Sequence, residues 1–232
     1  MSLHVTVKQY ASKAVQFFEQ SIIVRLDCHK LKFFIDITFI TIEKIISKLS
    51  KLIPLYIAHY QDTIRQEIKL AHLTGNHHIL DIGCGSIPAS CVLFVRETNA
   101  KVTGLDKNPA SVKRAKKIIS QLKLENRIDF LQEDARNVQL NAFDIILIVN
   151  GIHPYEAVLE HIAKQMQDDT VVIFRVFLTQ NEELGKKDYF LKNFFEIGQK
   201  TFHKKTGGLG AVLLYKKTPK QLKPTTEFPG YS

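Results

Sequence analysis

The chain has 232 residues, 45% of them hydrophobic and 24% charged, a balance that fits a globular protein and excludes a disordered one. Net charge is +9, and the three cysteines, Cys28, Cys84 and Cys91, contain no Cys-x-x-Cys pair. A disulfide framework or a zinc ribbon is therefore not expected, and a reducing cytoplasm is. The basic residues are spread along the chain and are densest at Lys204, Lys205, Lys216, Lys217, Lys220 and Lys223. They read as a solvated basic surface, with a nucleic-acid partner as the lesser alternative. The start, Met1-Ser2-Leu3-His4-Val5, has no basic region followed by an apolar core, so no signal peptide is expected.

Residues 1–75 read as an N-terminal helical subdomain. Val15, Phe17, Phe18, Ile22 and Ile23 form one apolar set, and Leu31, Phe34, Ile35, Ile42, Ile45, Ile46 and Leu49 recur at helical spacing. The apolar stretch from Phe33 to Ile57 is interrupted by Asp36, Glu43, Lys44, Lys48 and Lys51, too charged to span a membrane. Pro54 separates this helix from the next piece, and a third helix is predicted from about Tyr60 to Leu73, with Gly75 as its stop.

From His77 the pattern changes to alternating strands and helices. Strands are predicted at His78–Ile82, Val102–Leu105, Ile128–Leu131, Phe143–Val149, Val171–Val176, Phe195–Phe202 and Gly210–Tyr215. Helices are predicted at Pro88–Thr98, Pro109–Leu124, Pro154–Gln167 and Glu182–Asn193. Such alternation implies right-handed crossovers and a mainly parallel sheet, hence an α/β fold over 76–218. The tail, 219–232, contains Pro219, Pro224 and Pro229 without periodicity and is expected to be loosely held.

The stretch from His77 to Asp106 carries the chemistry. An apolar run ends in Asp81-Ile82-Gly83-Cys84-Gly85, and the next strand ends on Asp106. A third apolar run is followed by Glu133-Asp134. Acids at the ends of successive parallel strands line the rim where open α/β sheets bind ligands. The glycine turn would place backbone N–H groups at a helix start, where polar or negative ligand edges are welcome. A nicotinamide-dinucleotide fingerprint wants a further glycine where Pro88 stands, which disfavours that alternative. His77 and His78 are adjacent and so face opposite sides of a strand, a poor metal-ligand pair; no metal is expected.

This pattern resembles the class I S-adenosylmethionine (SAM)-dependent transferases. The resemblance implies a Rossmann-like methyltransferase fold, with a seven-stranded, mainly parallel sheet and an antiparallel last strand. It implies SAM as donor, and Asp81, Gly83, Cys84, Gly85, Asp106, Lys107, Asp134, Ala135 and Asn150 as the residues around it. Asp106 would hold the ribose and Asp134 would face the adenine amine.

Over roughly Pro54 to Lys217 the chain is more closely similar to the nicotianamine synthases. The turn Gly83-Cys84-Gly85-Ser86-Ile87-Pro88-Ala89-Ser90, the segment Asn150-Gly151-Ile152-His153-Pro154, the helix from Leu159 to Met166, and Phe174-Arg175 carry the likeness. So does Pro54-Leu55-Tyr56 followed by Tyr60 and, seven residues on, Glu67. Seven residues is about two helical turns, so Tyr60 and Glu67 share a face. The resemblance implies Glu67 as the base that deprotonates an attacking amine and Tyr60 as its orienting partner. Read from the helix alone, Glu67 would be an exposed acid beside Arg65 and Lys69. Arg175 could pair a substrate carboxylate at the rim, and His153 could touch substrate. Asp81 and Ser86 depart from the synthase pattern and look more like an ordinary methyltransferase.

The implied activity is transfer of the 3-amino-3-carboxypropyl group of SAM to a small-molecule amine or amino acid, giving a metallophore-type product and methylthioadenosine. The alternatives are methyl transfer to a small molecule, protein or RNA, and a non-catalytic SAM-fold interaction protein. No membrane association is expected, and the oligomeric state stays open, a homodimer included.

Overall fold

The structure is a computed structural model that describes residues 46, 49, 51–149, 152, 154–177, 187–202 and 209–217. Most of the predicted helical region before Lys51, the segment containing Asn150, Gly151 and His153, and the tail lie outside the described residues.

Helix α1 (Ile53–His59) starts with Pro54 in its first turn, where the missing N–H and fixed φ cost nothing. Helix α2 (Gln61–Leu70) follows at once, with Tyr60 between them. The spacing of Thr63, Ile64 and Glu67 buries one face of α2. Ile64 is fully buried, so its truncation to Ala would cost about 2–5 kcal/mol. Gly75 does not stop this helix as expected. The helix ends at Leu70, and His72 takes the left-handed conformation, φ 50°. Gly75 is needed for a different reason: a Cβ there would stand 2.8 Å from the Thr98 carbonyl oxygen.

The remaining elements alternate. They are β1 (His78–Ile82), α3 (Ala89–Thr98), β2 (Lys101–Leu105), α4 (Pro109–Leu122), β3 (Ile128–Leu131) and β4 (Ile145–Ile148). Then follow α5 (Tyr155–Gln165), β5 (Val171–Phe177), α6 (Lys187–Phe194), β6 (Phe195–Phe202) and β7 (Leu209–Lys216). The seven strands form one sheet in the order β3-β2-β1-β4-β5-β7-β6. Strands β1 to β5 pair in parallel, and β7 enters antiparallel between β5 and β6. This is the expected Rossmann-like arrangement.

Both faces of the sheet are covered, which is why its central strands read as unbroken apolar runs; all four residues of β4 are buried. One face packs Ile79, Leu147, Ile173 and Leu213 against Ile57 of α1, Ile64 of α2 and Val92 of α3. The other packs Leu80, Ile146, Val172 and Leu214 against Val158, Leu159 and Ile162 of α5. The chain leaves β1 toward β2 and β3, then returns on the other side of β1 with β4. That reversal opens a crevice at the carboxyl ends of β1 and β4, the place where sheets of this kind bind ligands. Among the described residues, no helix is long and apolar enough to cross a membrane.

Candidate active site

The glycine turn sits on this crevice. Gly83 and Gly85 have φ of 83° and 72°, a conformation that L side chains rarely adopt. A Cβ on Gly83 would also lie 2.9 Å from Val149 and 3.2 Å from Ile152, so the position demands glycine twice over. The N–H groups of Gly83 and Cys84 donate to the Leu105 carbonyl, at 2.8 and 3.1 Å. The Gly85 N–H donates to Oδ2 of Asp106 at 3.1 Å. The turn is thus stitched to the end of β2, and these three N–H groups are not free for an anion. That corrects the expectation of a donor-rich loop and removes the main device by which a dinucleotide pyrophosphate would be held. Cys84 is buried in the core below the turn. Its sulfur stands 3.0 Å from where a Gly104 Cβ would be, so the thiol points inward and not at a ligand.

Asp106, half-buried, accepts the Gly85 N–H and, on Oδ1, the Asn108 N–H at 2.8 Å. A carboxylate has about four acceptor sites, so two remain for a vicinal diol. Asn108 in turn caps α4 by accepting from Ala110 and Ser111. The network extends through Ser86, whose hydroxyl accepts from Arg114 Nε at 3.1 Å and donates to Ser111 at 3.3 Å. Ser86 was legible beforehand only as a member of the turn, and Arg114 not at all. Lys107 is exposed beside Asp106, and Ala135 is buried after β3. Asp134 is paired with Arg136: Oδ1 accepts the Arg136 backbone and Nε N–H groups, and Oδ2 accepts Nη2. Those bonds hold its carboxyl well below the usual range, and they leave one acceptor site on Oδ2.

A second polar group lies under helix α2. Ile82 of β1, Ile148 of β4 and Phe174 of β5 form the last paired row of the parallel strands. Arg175 stands one residue beyond that row and Asp81 one residue before it, both on the face that carries Ile79 and Ile173. Arg175 is buried and donates from Nε and Nη2 to the two oxygens of Glu67, at 2.7 and 2.8 Å. Its Nη1 donates to Ser90 at 2.9 Å. Burial alone would lower the Arg175 pKa; the facing Glu67 more than reverses it and holds the guanidinium firmly charged. Glu67, expected to be exposed from its helix neighbours Arg65 and Lys69, is fully buried instead. Arg175, expected to meet a substrate carboxylate from the rim, is engaged by this internal one.

Asp81 is also buried. Its Oδ2 accepts the Cys91 thiol at 3.2 Å, and its Oδ1 has no hydrogen-bond partner. Burial pushes its pKa up to about 6, tempered by the Arg175 charge. Tyr60, half-buried at the junction of α1 and α2, packs on Tyr56 and His59 with ring centroids 5.4 and 5.2 Å away. Its side chain lies in the neighbourhood of Arg175. The predicted residues therefore gather in two adjoining clusters along one rim, with Asp134 alongside and Asn150 outside the described residues. Among the described residues, no group of three or more His, Cys, Asp or Glu could hold a metal ion. An open groove of about 590 Å³ runs elsewhere, along the edge strand β3, and contains none of the predicted site residues.

Residues 73–226 match a family model described as a methyltransferase domain. The L-histidine 2-aminobutanoyltransferase of Yersinia pestis is 22% identical over 120 residues, which are 52% of this chain and 45% of that protein. The chain thus spans less than half the length of that relative. Among solved structures, MtNAS in complex with MTA and tNA superposes with a TM-score of 0.68 at 14% identity, over 88% of this chain and 86% of that one. A point mutant of MtNAS in complex with S-adenosylmethionine gives 0.61 at 18% identity, over 68% and 61%. An RNA methyltransferase from Salinibacter ruber in complex with S-adenosyl-L-homocysteine gives 0.53 at 15%, over 70% and 97%. At these identities the likeness is one of fold.

Proposed function

Because the chain belongs to the methyltransferase-domain family, we propose that it is a SAM-dependent transferase of the nicotianamine synthase type, moving the 3-amino-3-carboxypropyl group to the amine of a small amino acid. The observation that carries this reading is the position of α2. It lays Glu67 and Tyr60 against Arg175 and Asp81, beside the glycine turn. An ordinary methyl transfer needs the turn and Asp106 but not this buried acid.

In this reading, SAM supplies an electrophilic carbon attached to a sulfonium, either the methyl or the first carbon of the longer arm. The glycine turn lets the backbone approach the sulfonium side, Asp106 accepts the ribose hydroxyls, and the remaining acceptor of Asp134 meets the adenine amine. Lys107, Ala135 and Asn150 flank the nucleoside. Glu67, bonded through both oxygens to Arg175, is the carboxylate beside the turn that takes the proton of the attacking amine. Tyr60 orients that amine. Residues 76–218 carry the catalytic domain, and α1 and α2 ahead of it bring Tyr60 and Glu67 to the site. The acceptor that the Yersinia pestis relative's name prints, L-histidine, is the first to test. The product would be a metallophore-type chelator, made in the cytoplasm.

A second reading, methyl transfer, is favoured by Asp81, the acid two residues ahead of the glycine pair. Mass spectrometry of the products formed from SAM and candidate amino acids separates the two. Methylthioadenosine is expected; S-adenosylhomocysteine would establish methyl transfer in its place.

A further inference from the structure

Helix α4 turns one face to the core and the other to solvent. Ser111, Val112, Ala115, Ile118 and Ile119 are buried, while Lys113, Lys116 and Lys117 are exposed. With Arg114 these lysines make the run Lys113-Arg114-Ala115-Lys116-Lys117, a cluster of cations of the kind that meets nucleic acid. The helix contains no Asp or Glu, and residues 101–127 hold eight Lys or Arg against two acids. Lys113, Lys116 and Lys117 have no ion pair among the described residues. A merely solvated helix face mixes both signs, so that pairs at i, i+4 offset repulsion. On α4 like charges stand at i, i+3 and i+4 instead, which destabilises a helix slightly. The row begins beside the glycine turn: Asp106 accepts the N–H of Asn108, which caps α4, and Arg114 reaches Ser86. On its other side α4 borders the open groove of about 590 Å³ along edge strand β3, lined by Lys116, Ile119, Phe130 and Leu131. The two acids of that groove are engaged within the chain, Glu125 by Ser120 and its own backbone and Asp129 by Lys101 at 3.6 Å.

We propose that the lysine face of α4 and the adjoining β3 groove form a docking surface for single-stranded nucleic acid, the lysines taking phosphates and Phe130 a base. A lysine ammonium is a point charge that meets a phosphate from any direction, so a row of them follows a backbone without reading its sequence. From Lys113 to Lys123 the row extends about 15 Å at 1.5 Å per residue, room for several phosphates. An aromatic ring beside a cationic track supplies a stacking partner for a base. An acidic protein would meet the cations but has no use for the aromatic groove. A membrane surface would call for large apolar side chains on the same helix face, and among the described residues α4 exposes none. This surface lies outside the SAM cluster and does not depend on which group of SAM is transferred.

Fluorescence anisotropy of the full chain with a labelled single-stranded RNA of about 15 nucleotides tests it. Log affinity should fall with log salt at a slope of about −3, as about four phosphate contacts would give. The triple change Lys113→Gln, Lys116→Gln and Lys117→Gln should weaken binding by about tenfold or more and flatten the slope to about −1. Removing three charges elsewhere, with Lys51→Gln, Lys69→Gln and Lys192→Gln, should change affinity by about twofold or less. Phe130→Leu keeps apolar bulk over Gly104 and should cost about tenfold through lost stacking, with circular dichroism confirming the fold. Equal losses in the two lysine triples would reduce the effect to net charge and overturn the proposal. So would full affinity in the Phe130 variant, or no binding by the wild type at low salt. A polyglutamate that displaces the RNA at equal concentration of charge would assign the face to an acidic protein and overturn it as well.

Discussion

Glu67 and Arg175 are 108 residues apart in the chain, and they meet in two hydrogen bonds of 2.7 and 2.8 Å between fully and almost fully buried side chains. The pair fastens α2 to β5 and sets the roof of the crevice. Removing one member leaves the other charge buried and uncompensated. Arg175→Met should therefore destabilise the fold by about 3–5 kcal/mol, and adding Glu67→Leu should restore most of that loss. Urea denaturation of the two variants checks it; a single variant as stable as the wild type would show that the pair does not fasten the helix.

Glu67→Gln keeps the shape of the side chain but cannot accept a proton at neutral pH. With Glu67 as the amine's base, kcat should fall by about a hundredfold or more, with KM for SAM little changed. Steady-state kinetics with the identified acceptor provide the measurement. Unaltered kcat at saturating substrate would reduce Glu67 to a fastener of α2.

Gly83→Ala forces a side chain into a left-handed φ and against Val149 and Ile152. The backbone penalty alone is about 1–2 kcal/mol, and the contacts at 2.9 and 3.2 Å add to it. The turn must shift, so SAM affinity should drop by about tenfold or more while the sheet stays folded. Calorimetry together with circular dichroism separates a lost site from a lost fold.

Asp106→Ala removes the proposed ribose acceptor and also the partner of the Gly85 N–H. The expected cost to binding is about 1–3 kcal/mol, or roughly ten- to a hundredfold in Kd for methylthioadenosine. An unchanged Kd would place the nucleoside elsewhere on the rim.

Asp81 gives the fold a pH dependence of unusual sign for an acid. Its pKa rises from an ordinary 3.8 to about 6 in the folded protein, mainly through burial. Between those values the folded state binds more protons than the unfolded one, so this group's contribution to stability is lost as pH rises from about 4 to about 6. The loss is on the order of 2–3 kcal/mol, at 1.36 kcal/mol per unit. Asp81→Asn should abolish it: relative to the wild type, the variant should gain stability on going from pH 4.5 to pH 7, as read by denaturant midpoints at the two values. Parallel pH profiles for the two proteins would contradict the raised pKa.

The glycine turn, the acids at the strand ends and all seven strands were legible from residue order, because each is announced by signals a few positions long. Apolar runs of four to eight residues, Pro109 at the start of a helix and glycines at a sharp bend act on the backbone locally. The insertion of β7 between β5 and β6 is not a local matter, and it was expected only through the family resemblance. Three things escaped or misled a reading along the chain: the fate of Glu67, which its neighbours Arg65 and Lys69 marked as exposed; the engagement of Arg175; and the spending of the turn's N–H groups on Leu105 and Asp106. Residue order determined which side chains have charge to offer and where the backbone must bend. Only tertiary packing decided which charges lose their water and must face one another, because an ion pair between α2 and β5 depends on how helices stack on a sheet and leaves no periodicity in either segment.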